Sequence, residues 1–432
     1  MRFTFVIIKR LPAHLSNLNP TRQGQQSTGR MVYLDKLIMF QVIFLLIGVI
    51  VQQALSNISI EQFGAIADRD DLNSQLANTK AVHDAVSAAA VVGRMDREVL
   101  IPNRTYYLLP LLFENLHQVL ILNRGSLVAS HLVDSWQRDG KQYRSLLTFS
   151  NCSNVSLIGG TIDGRGYPWW VLTIYDPKKK LGSQGNRPHL IELRQCTNLR
   201  FEELHLKNSP QFHMYILDAL NLAIGNIHIS VDRTQQRKIL DEHKVGWLAK
   251  LGPEMFPFNT DGLDPQGTNI HIYNITCENY NDIVVVKPHN NKGRLSKCSE
   301  NILVENATSK WGSGMAIGTV PPSTDFDCVR NVTFRNIHMQ HPFKGVYIKT
   351  YPSSSGTAII ENVQFVNMSI LRPVYWPIYI GPHHDGPGCL HIDKCKAESK
   401  VTIRNISFRD IEIRDAGLYP YLILCDKSNP CT

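Results

Sequence analysis

Residues 266–282 read QGTNIHIYNITCENYND, and the pattern within them decides the fold. Two short runs of alternating polar and aliphatic residues follow each other, and each run is preceded by an asparagine, Asn269 or Asn274. Alternation with a period of two over a few residues is typical of short β-strands, and asparagine is typical of the turns between them. The stretch therefore predicts two short strands joined at asparagine-containing turns.

The same unit recurs along most of the chain. Counted between the first turn asparagines of successive copies, the spacings are 44, 23, 48, 32, 30 and 31 residues, for Asn154, Asn198, Asn221, Asn269, Asn301, Asn331 and Asn362. Repeats of about 20–50 residues indicate stacked units that cannot bury their apolar faces alone. Short strands with asparagine turns predict an all-β parallel β-helix, whose coils stack about 4.8 Å apart and whose asparagine side chains form ladders. The rival architecture, a β-propeller, would show four strands per blade at a steadier period.

The region before the repeats predicts a cap on this solenoid. A short strand and a polar loop precede an amphipathic helix, expected from about Thr79 to Ala90. A helix there would cover the open first coil and prevent edge-to-edge pairing with another chain. Residues 57–432 are therefore predicted to form one β-helix domain with an N-terminal helical cap.

Residues 1–56 are interpreted as an N-terminal extension and a signal peptide, with Met31 as a possible true start. Lys36 precedes the apolar run Leu37–Val51, and Ala54-Leu55-Ser56 fits a small-residue cleavage site. The run is too short to favour a membrane anchor. We therefore expect a secreted, extracellular protein with no stable membrane partner after cleavage.

Cysteine usage agrees with an oxidising secretory route. All nine cysteines follow residue 56, nine Asn-x-Ser/Thr sequons are present, and Cys389–Cys395 and Cys425–Cys431 are plausible short-loop disulfides. Residues 1–56 carry six Lys or Arg and one Asp, so cleavage after residue 56 would remove most of the chain's formal net charge of +8. The mild remaining charge gives no case for a nucleic-acid partner.

Two motifs carry candidate acids. The first is NTDGLDP at 259–265 with Asp261 and Asp264, and the second is NYNDIVVVK at 279–287 with Asp282. Because Asp261 and Asp282 are 21 residues apart, a β-helix can place them on neighbouring coils. A pair of carboxyl groups is what acid-base hydrolysis of a glycosidic bond requires. The plainer reading of each aspartate is a turn cap.

In order and spacing, the motifs resemble the polygalacturonase-type glycoside hydrolases, family 28 of the glycoside hydrolases, from Ile60 to Thr432. The resemblance rests on EQFGAIADRDD at 61–71, GGTIDGRGYPWW at 159–170, RPHLIELRQCTNLRFEELHLKNSPQFH at 187–213 and the two acid motifs. It implies a single-stranded right-handed parallel β-helix that hydrolyses α-linked galacturonan or a related pectic polysaccharide with inversion. It also implies no metal and no cofactor, an acidic polysaccharide as partner, and a monomer.

The sequence departs from the family pattern at three positions. Asn281 stands where the resemblance implies the proton donor, Ser313 where it implies histidine, and Tyr347 where it implies arginine. Either Asp282 or Asp264 has then taken the acid role, or the protein is slow or inactive. The alternatives are an impaired relative that binds acidic polysaccharide, or a hydrolase with shifted glycan specificity.

Site residues follow from these motifs. Asp261 and Asp282 are predicted to be catalytic, with Asp264 as a reserve acid. The predicted substrate-binding residues are Asn259, Asn281, Lys287, Ser313, Tyr347 and Lys349. We interpret Trp169, Trp170 and Trp376 as packing residues rather than as a sugar platform.

Overall fold

The computed structural model describes residues 58–91, 97–174, 180–181, 186–234, 259–290, 292–320, 325–351, 355–382, 400–424 and 426. The interpreted signal peptide and both short-loop cysteine pairs lie outside these residues and stay predictions. In the described part of the chain, no helix is both long and apolar enough to cross a membrane.

The described residues form short strands, two α-helices and two 3-10 helices. The helices are α1 Leu72–Ala89 and α2 Tyr167–Ile174, with 3-10 turns at Ile60–Phe63 and Val133–Ser135. The strands are β1 Ile58–Ser59, β2 Glu98–Ile101, β3 Thr105–Leu108, β4 Leu111–Glu114, β5 His117–Asn123, β6 Ser126–Ala129, β7 Arg138–Asp139, β8 Gln142–Tyr143, β9 Leu147–Ser150, β10 Ser153–Ile158, β11 Thr161–Asp163, β12 Ile191–Arg194, β13 Thr197–Glu202, β14 His205–Lys207, β15 Met214–Leu217, β16 Ala219–Ser230, β17 Leu263–Asp264, β18 Gly267–Asn279, β19 Val284–Val286, β20 His289–Asn290, β21 Ser299–Trp311, β22 Met315–Val320, β23 Phe326–Gln340, β24 Val346–Thr350, β25 Thr357–Leu371, β26 Ile378–Pro382, β27 Val401–Arg414 and β28 Tyr421–Ile423.

These strands wind into a right-handed parallel β-helix, which confirms the predicted fold. The first sheet runs in the order β1-β2-β5-β10-β13-β16-β18-β21-β23-β25-β27, with β3, β6, β11 and β14 pairing beside it. The second sheet runs β4-β9-β12-β15-β17-β19-β22-β24-β26-β28. The chain alternates between the two sheets, so successive strands of the second sheet belong to successive coils.

Asparagine side chains stack along the coils in two ladders, as the repeat predicted. In the first ladder each amide Nδ2 donates to the Oδ1 of the preceding coil, through Asn154, Asn198, Asn221, Asn269, Asn301, Asn331, Asn362 and Asn405. The second ladder contains Asn226, Asn274, Asn306, Asn336 and Asn367. All of these asparagines have a positive φ between 51° and 58°. Asparagine tolerates this left-handed conformation better than other non-glycine residues, which explains its recurrence at the turns.

The first ladder gives a stability prediction at Asn301. Its Nδ2 donates to Asn269 at 3.2 Å, and its Oδ1 accepts from Asn331 at 3.3 Å. Asn301→Ala loses both hydrogen bonds and adds left-handed strain, so we expect a cost of about 2 kcal/mol in the free energy of unfolding. Asn301→Gly loses only the hydrogen bonds and should cost about 1 kcal/mol. Urea unfolding measures both values, and equal costs would refute the role assigned to backbone conformation.

Inside the coils, side chains at matched positions pack on one another. Phe334 and Phe365 lie at one register position in neighbouring coils, and their rings stack with centroids 5.1 Å apart. Cys298 and Cys328 likewise lie on adjacent coils and form a disulfide, with Cα atoms 4.8 Å apart. Cysteines that are distant in sequence therefore become neighbours through the coil repeat. Trp169 and Trp170 are fully buried, which confirms their packing role.

The capping helix is longer than predicted. It starts at Leu72 rather than Thr79, with Asp71 accepting a hydrogen bond from the backbone N–H of Ser74 at 3.0 Å. Its buried side of Val82, Ala85, Val86 and Ala89 packs into the coil interior. The helix therefore caps the core as expected.

Candidate active site

The coil register brings the two acid motifs together. Leu263 of β17 pairs with Val284 of β19, and the N–H of Gly262 donates to the carbonyl of Asp282 at 2.9 Å. Asp261 and Asp282 each lie two residues before this matched pair, so they occupy the same position on adjacent coils. Asp264 follows Leu263 in β17, and all three aspartates are buried. The structure thus assembles the three predicted acids in one cluster.

Two lysines neutralise two of these acids. Lys287 Nζ lies 3.1 Å from Asp264 Oδ2, and Lys349 Nζ forms an ion pair with Asp282 Oδ2. Burial of these ion pairs makes each partner depend on the other, because an uncompensated buried charge is costly. Lys287 and Lys349 were predicted to contact substrate, and in this structure both are engaged with acids.

Asp261 stands apart from these two pairs. Its Oδ1 is buried and has no hydrogen-bond partner, as is also the case for Oδ1 of Asp264 and of Asp282, so the difference lies in the lysine pairs. Burial, followed by the neighbouring charges of Asp264 and Asp282, raises the pKa of Asp261 well above its ordinary value, although Lys287 and Lys349 oppose the shift. Burial raises the pKa of Asp264 to about 6, while Lys287 opposes that shift. The cluster therefore favours a proton on Asp261, the carboxyl that neither lysine pairs with directly.

Asn279 fixes the two acid loops against each other. Its fully buried Nδ2 donates to the carbonyls of Thr260 and Asp282, at 2.9 and 2.8 Å. Thr260 Oγ1 also accepts a hydrogen bond from the backbone N–H of Tyr280 at 3.2 Å. The relative position of Asp261 and Asp282 is therefore set by the side chain of Asn279, the first residue of the second motif, for which the sequence suggested no role.

Asn281 and Ser313 lie beside the acids and are partly exposed. The side-chain Oδ1 of Asn281 accepts from the N–H of Asp282 at 2.9 Å, and its carbonyl accepts from the N–H of Ser313 at 2.7 Å. Gly312 and Gly314 have φ of +71° and +72°, and a Cβ at Gly314 would lie 2.1 Å from the carbonyl oxygen of Gly345. These glycines let neighbouring coils approach closely.

Two further buried residues support the Asp261 loop. His213 Nδ1 lies 2.9 Å from the carbonyl of Asp261, and burial lowers the pKa of His213 to about 4, so the ring is neutral. Arg187 donates to the carbonyl of Pro210 at 2.8 Å and to Oδ1 of Asn259 at 3.3 Å. Asn259, predicted to bind substrate, is exposed at the entrance to this loop. Both supporting residues lie in the 187–213 stretch, which the sequence singled out as a motif without assigning roles.

Tyr347 does not offer a free ring face. It is 2% exposed and packs with Val285, Ala316 and Tyr379 in a cluster outside the main core. The ammonium of Lys344 lies 3.6 Å from its ring centroid. Tyr347 was predicted to contact substrate, and in this structure it instead supports the residues around it.

Among the described residues, no group of histidine, cysteine or acidic side chains has the arrangement of a metal site.

Comparisons with known proteins bear on the family and the fold. Residues 97–432 match the sequence profile of the glycosyl hydrolases family 28. A polygalacturonase of Persea americana is 26% identical over 381 residues, which cover 87% of this chain and 72% of that protein. The endo-xylogalacturonan hydrolase of Aspergillus tubingensis superposes with a TM-score of 0.62 at 20% identity, covering 85% of this chain and 97% of that one. A polygalacturonase of Erwinia carotovora ssp. carotovora superposes with a TM-score of 0.61 at 18% identity, covering 87% and 96%.

Proposed function

Because the chain belongs to family 28 of the glycosyl hydrolases, we propose that it hydrolyses α-linked galacturonan or a related pectic polysaccharide, with inversion. The observation that carries this proposal is the buried cluster of three aspartates and two lysines. Such a cluster can hold one carboxyl group protonated and another ionised, which the cleavage of a glycosidic bond requires. Secretion remains the prediction made from residues 1–56.

In this proposal Asp261 is the general acid. Desolvation and the nearby carboxylates raise its pKa, so it keeps a proton that it can donate to the leaving glycosidic oxygen. This assignment differs from the two candidates that the sequence left open, Asp282 and Asp264. It is favoured because each of those carboxyl groups has its own lysine partner.

Asp282 is then the general base. Its carboxylate forms an ion pair with Lys349, and a carboxylate can accept a proton from an attacking water. Asn281, which cannot donate a proton at useful pH, holds the backbone of Asp282 through its side-chain oxygen. The proposal therefore assigns activity to the chain without an acid at position 281, in preference to an impaired relative that only binds polysaccharide.

The role of Asp264 gives a pH prediction. Asp264→Asn removes a negative charge that raises the pKa of Asp261, so the acid should lose its proton at a lower pH. We expect the alkaline limb of the kcat/KM profile on polygalacturonate to move to lower pH. The maximal kcat/KM of the variant should stay within about tenfold of that of the unmodified protein. An unmoved alkaline limb would contradict the assignment of Asp261 as the titrating acid.

The anomer of the first product tests both the hydrolysis and its stereochemistry. Adjacent coils are about 4.8 Å apart, which is nearer the roughly 5–5.5 Å carboxyl separation of retaining enzymes than the roughly 6.5–9.5 Å of inverting ones. Inversion is therefore proposed from the family resemblance and not from this spacing, and it requires the two side chains to diverge from their coils. Proton NMR of a fresh polygalacturonate digest should reveal β-anomeric reducing ends before mutarotation. Release of the α-anomer would reject inversion, and no new reducing ends would reject the hydrolysis itself.

A further inference from the structure

The face of the second sheet that carries the acids continues into the C-terminal coils. Val285, Ala316, Tyr347 and Tyr379 occupy one register position on successive strands. Asp282 lies two residues before β19. The residues at the same position before β22, β24 and β26, the next three strands of the second sheet, are Ser313, Lys344 and Trp376. The aromatic coils are therefore a direct continuation of the acid cluster along one face.

Partly exposed aromatic rings cover this continuation. Phe343 and Tyr375 stack with centroids 5.3 Å apart and planes 6° from parallel, and Trp376 meets Tyr375 edge-on at 4.2 Å. All three side chains are partly exposed, and neighbouring Val374 is 46% exposed. We call Phe343, Tyr375 and Trp376 the aromatic platform.

The cations on this side are buried beneath the rings. Lys344 is 0% exposed, and its ammonium lies within 5.3 Å of the ring centroids of Phe343, Tyr347, Tyr375 and Tyr379. The side chain of Lys349 is 8% exposed. On the other side of the acids, the side chain of Lys287 is 22% exposed and lies over the partly exposed ring of Phe212. Positive charge is therefore accessible on the N-terminal side of the acids and shielded on the C-terminal side.

We propose that the aromatic platform, which lies two to three coils (about 10–14 Å) beyond Asp282, binds an uncharged glycosyl unit of the substrate on the C-terminal side of the bond that is cleaved. This inference rests on the proposed function, because it names the substrate of the same cleft. The preferred polymer would be a galacturonan whose chain contains neutral sugars, rather than an unsubstituted polygalacturonate.

The choice of a neutral sugar follows from what the platform offers. A uronate carboxylate placed over the aromatic faces would lose water, and the nearest cation, Lys344, is buried beneath the rings and cannot pair with it directly, which is unfavourable. The C–H face of a neutral sugar loses little hydration when it moves from water onto the rings. Aromatic side chains also supply a large, rigid contact area. Lys287 is 22% exposed while it pairs with Asp264, and its remaining N–H donors suit a uronate on the opposite side of the acids. Trp376, which the sequence assigned to packing, becomes a specificity-determining residue.

The test compares two polymers and two variants. The probes are polygalacturonate and a galacturonan with alternating galacturonate and rhamnose, and the variants are Trp376→Ala and Tyr375→Ala. Tyr421→Ala is the matched control, since Tyr421 is 61% exposed on the last described coil and aligns with core-facing Ile378. We expect wild type to prefer the alternating polymer. We expect each platform variant to lose about tenfold or more in kcat/KM on it, as for a buried contact aromatic, and less than about threefold on polygalacturonate.

Equal losses on both polymers, or a wild-type preference for polygalacturonate, would overturn the inference. If no polymer is cleaved, the proposed function fails, and the platform is tested by binding alone. Asp261→Asn is then titrated with oligosaccharides of both kinds, and binding is measured by tryptophan fluorescence and calorimetry. The alternating oligosaccharide should bind more tightly. Loss of that preference in the Trp376→Ala background would support the platform, and its persistence would reject it.

Discussion

Replacing Asp261 with asparagine is expected to lower kcat/KM on polygalacturonate by about 10²–10⁴-fold, because an amide of the same shape cannot donate the proton. The denaturation midpoint should stay unchanged or rise. Asn replaces a buried carboxyl group whose pKa burial raises well above its ordinary value and whose Oδ1 has no hydrogen-bond partner, so we expect no favourable charge to be lost. Steady-state kinetics and urea unfolding of the same preparation measure both effects.

Asp264→Asn is the matched control for this prediction. Asp264 is equally buried and sits in the same cluster, but it is paired with Lys287. A greater loss of activity in Asp264→Asn than in Asp261→Asn would place the acid at Asp264. That outcome would contradict the proton assignment.

Replacing Lys349 with methionine is expected to destabilise the fold by about 3–5 kcal/mol, because Asp282 would keep a buried charge without a partner. Activity should fall as well, since the carboxylate of Asp282 would lose the ion pair that holds it in place. Lys349→Met combined with Asp282→Asn should recover most of the stability and none of the activity. Urea unfolding of the four proteins gives the coupling as a double-mutant cycle.

An exposed ion pair provides the comparison. Lys292 Nζ lies 2.9 Å from Asp325 Oδ1, but the side chain of Lys292 is 70% exposed. Lys292→Met should cost about 0–1 kcal/mol, as surface pairs do. If Lys349→Met costs no more than Lys292→Met, the buried pair has no role in holding Asp282.

The fold was predictable because its signal repeats. Asparagines such as Asn269 and Asn274 recur at the turns, and the coil register turns that recurrence into hydrogen-bonded ladders. The first turns of the capping helix were missed because buried Ser74, Gln75 and Asn78 are polar and break the apolar pattern. Asn78 is satisfied by the backbone of Ile66 and Tyr107, contacts that no local pattern reveals.

The acid cluster was predictable from spacing, but the location of its proton was not. Asp261, Asp264 and Asp282 meet because residues about one coil apart become neighbours. Which acid keeps a proton depends on the lysines that reach across coils, and Lys349 is 67 residues from Asp282. The sequence did not predict the Cys298–Cys328 disulfide for the same reason, because its partners are 30 residues apart. Nor did it predict the aromatic rings around Lys344.

The most direct test of the central claim is release of reducing ends from polygalacturonate by the protein beginning at Asn57, measured beside its Asn281→Asp variant. We predict that the unmodified protein releases reducing ends, and that Asn281→Asp brings no gain, because Asp261 already supplies the proton. If the unmodified protein releases no reducing ends and the Asn281→Asp variant does, the account is contradicted.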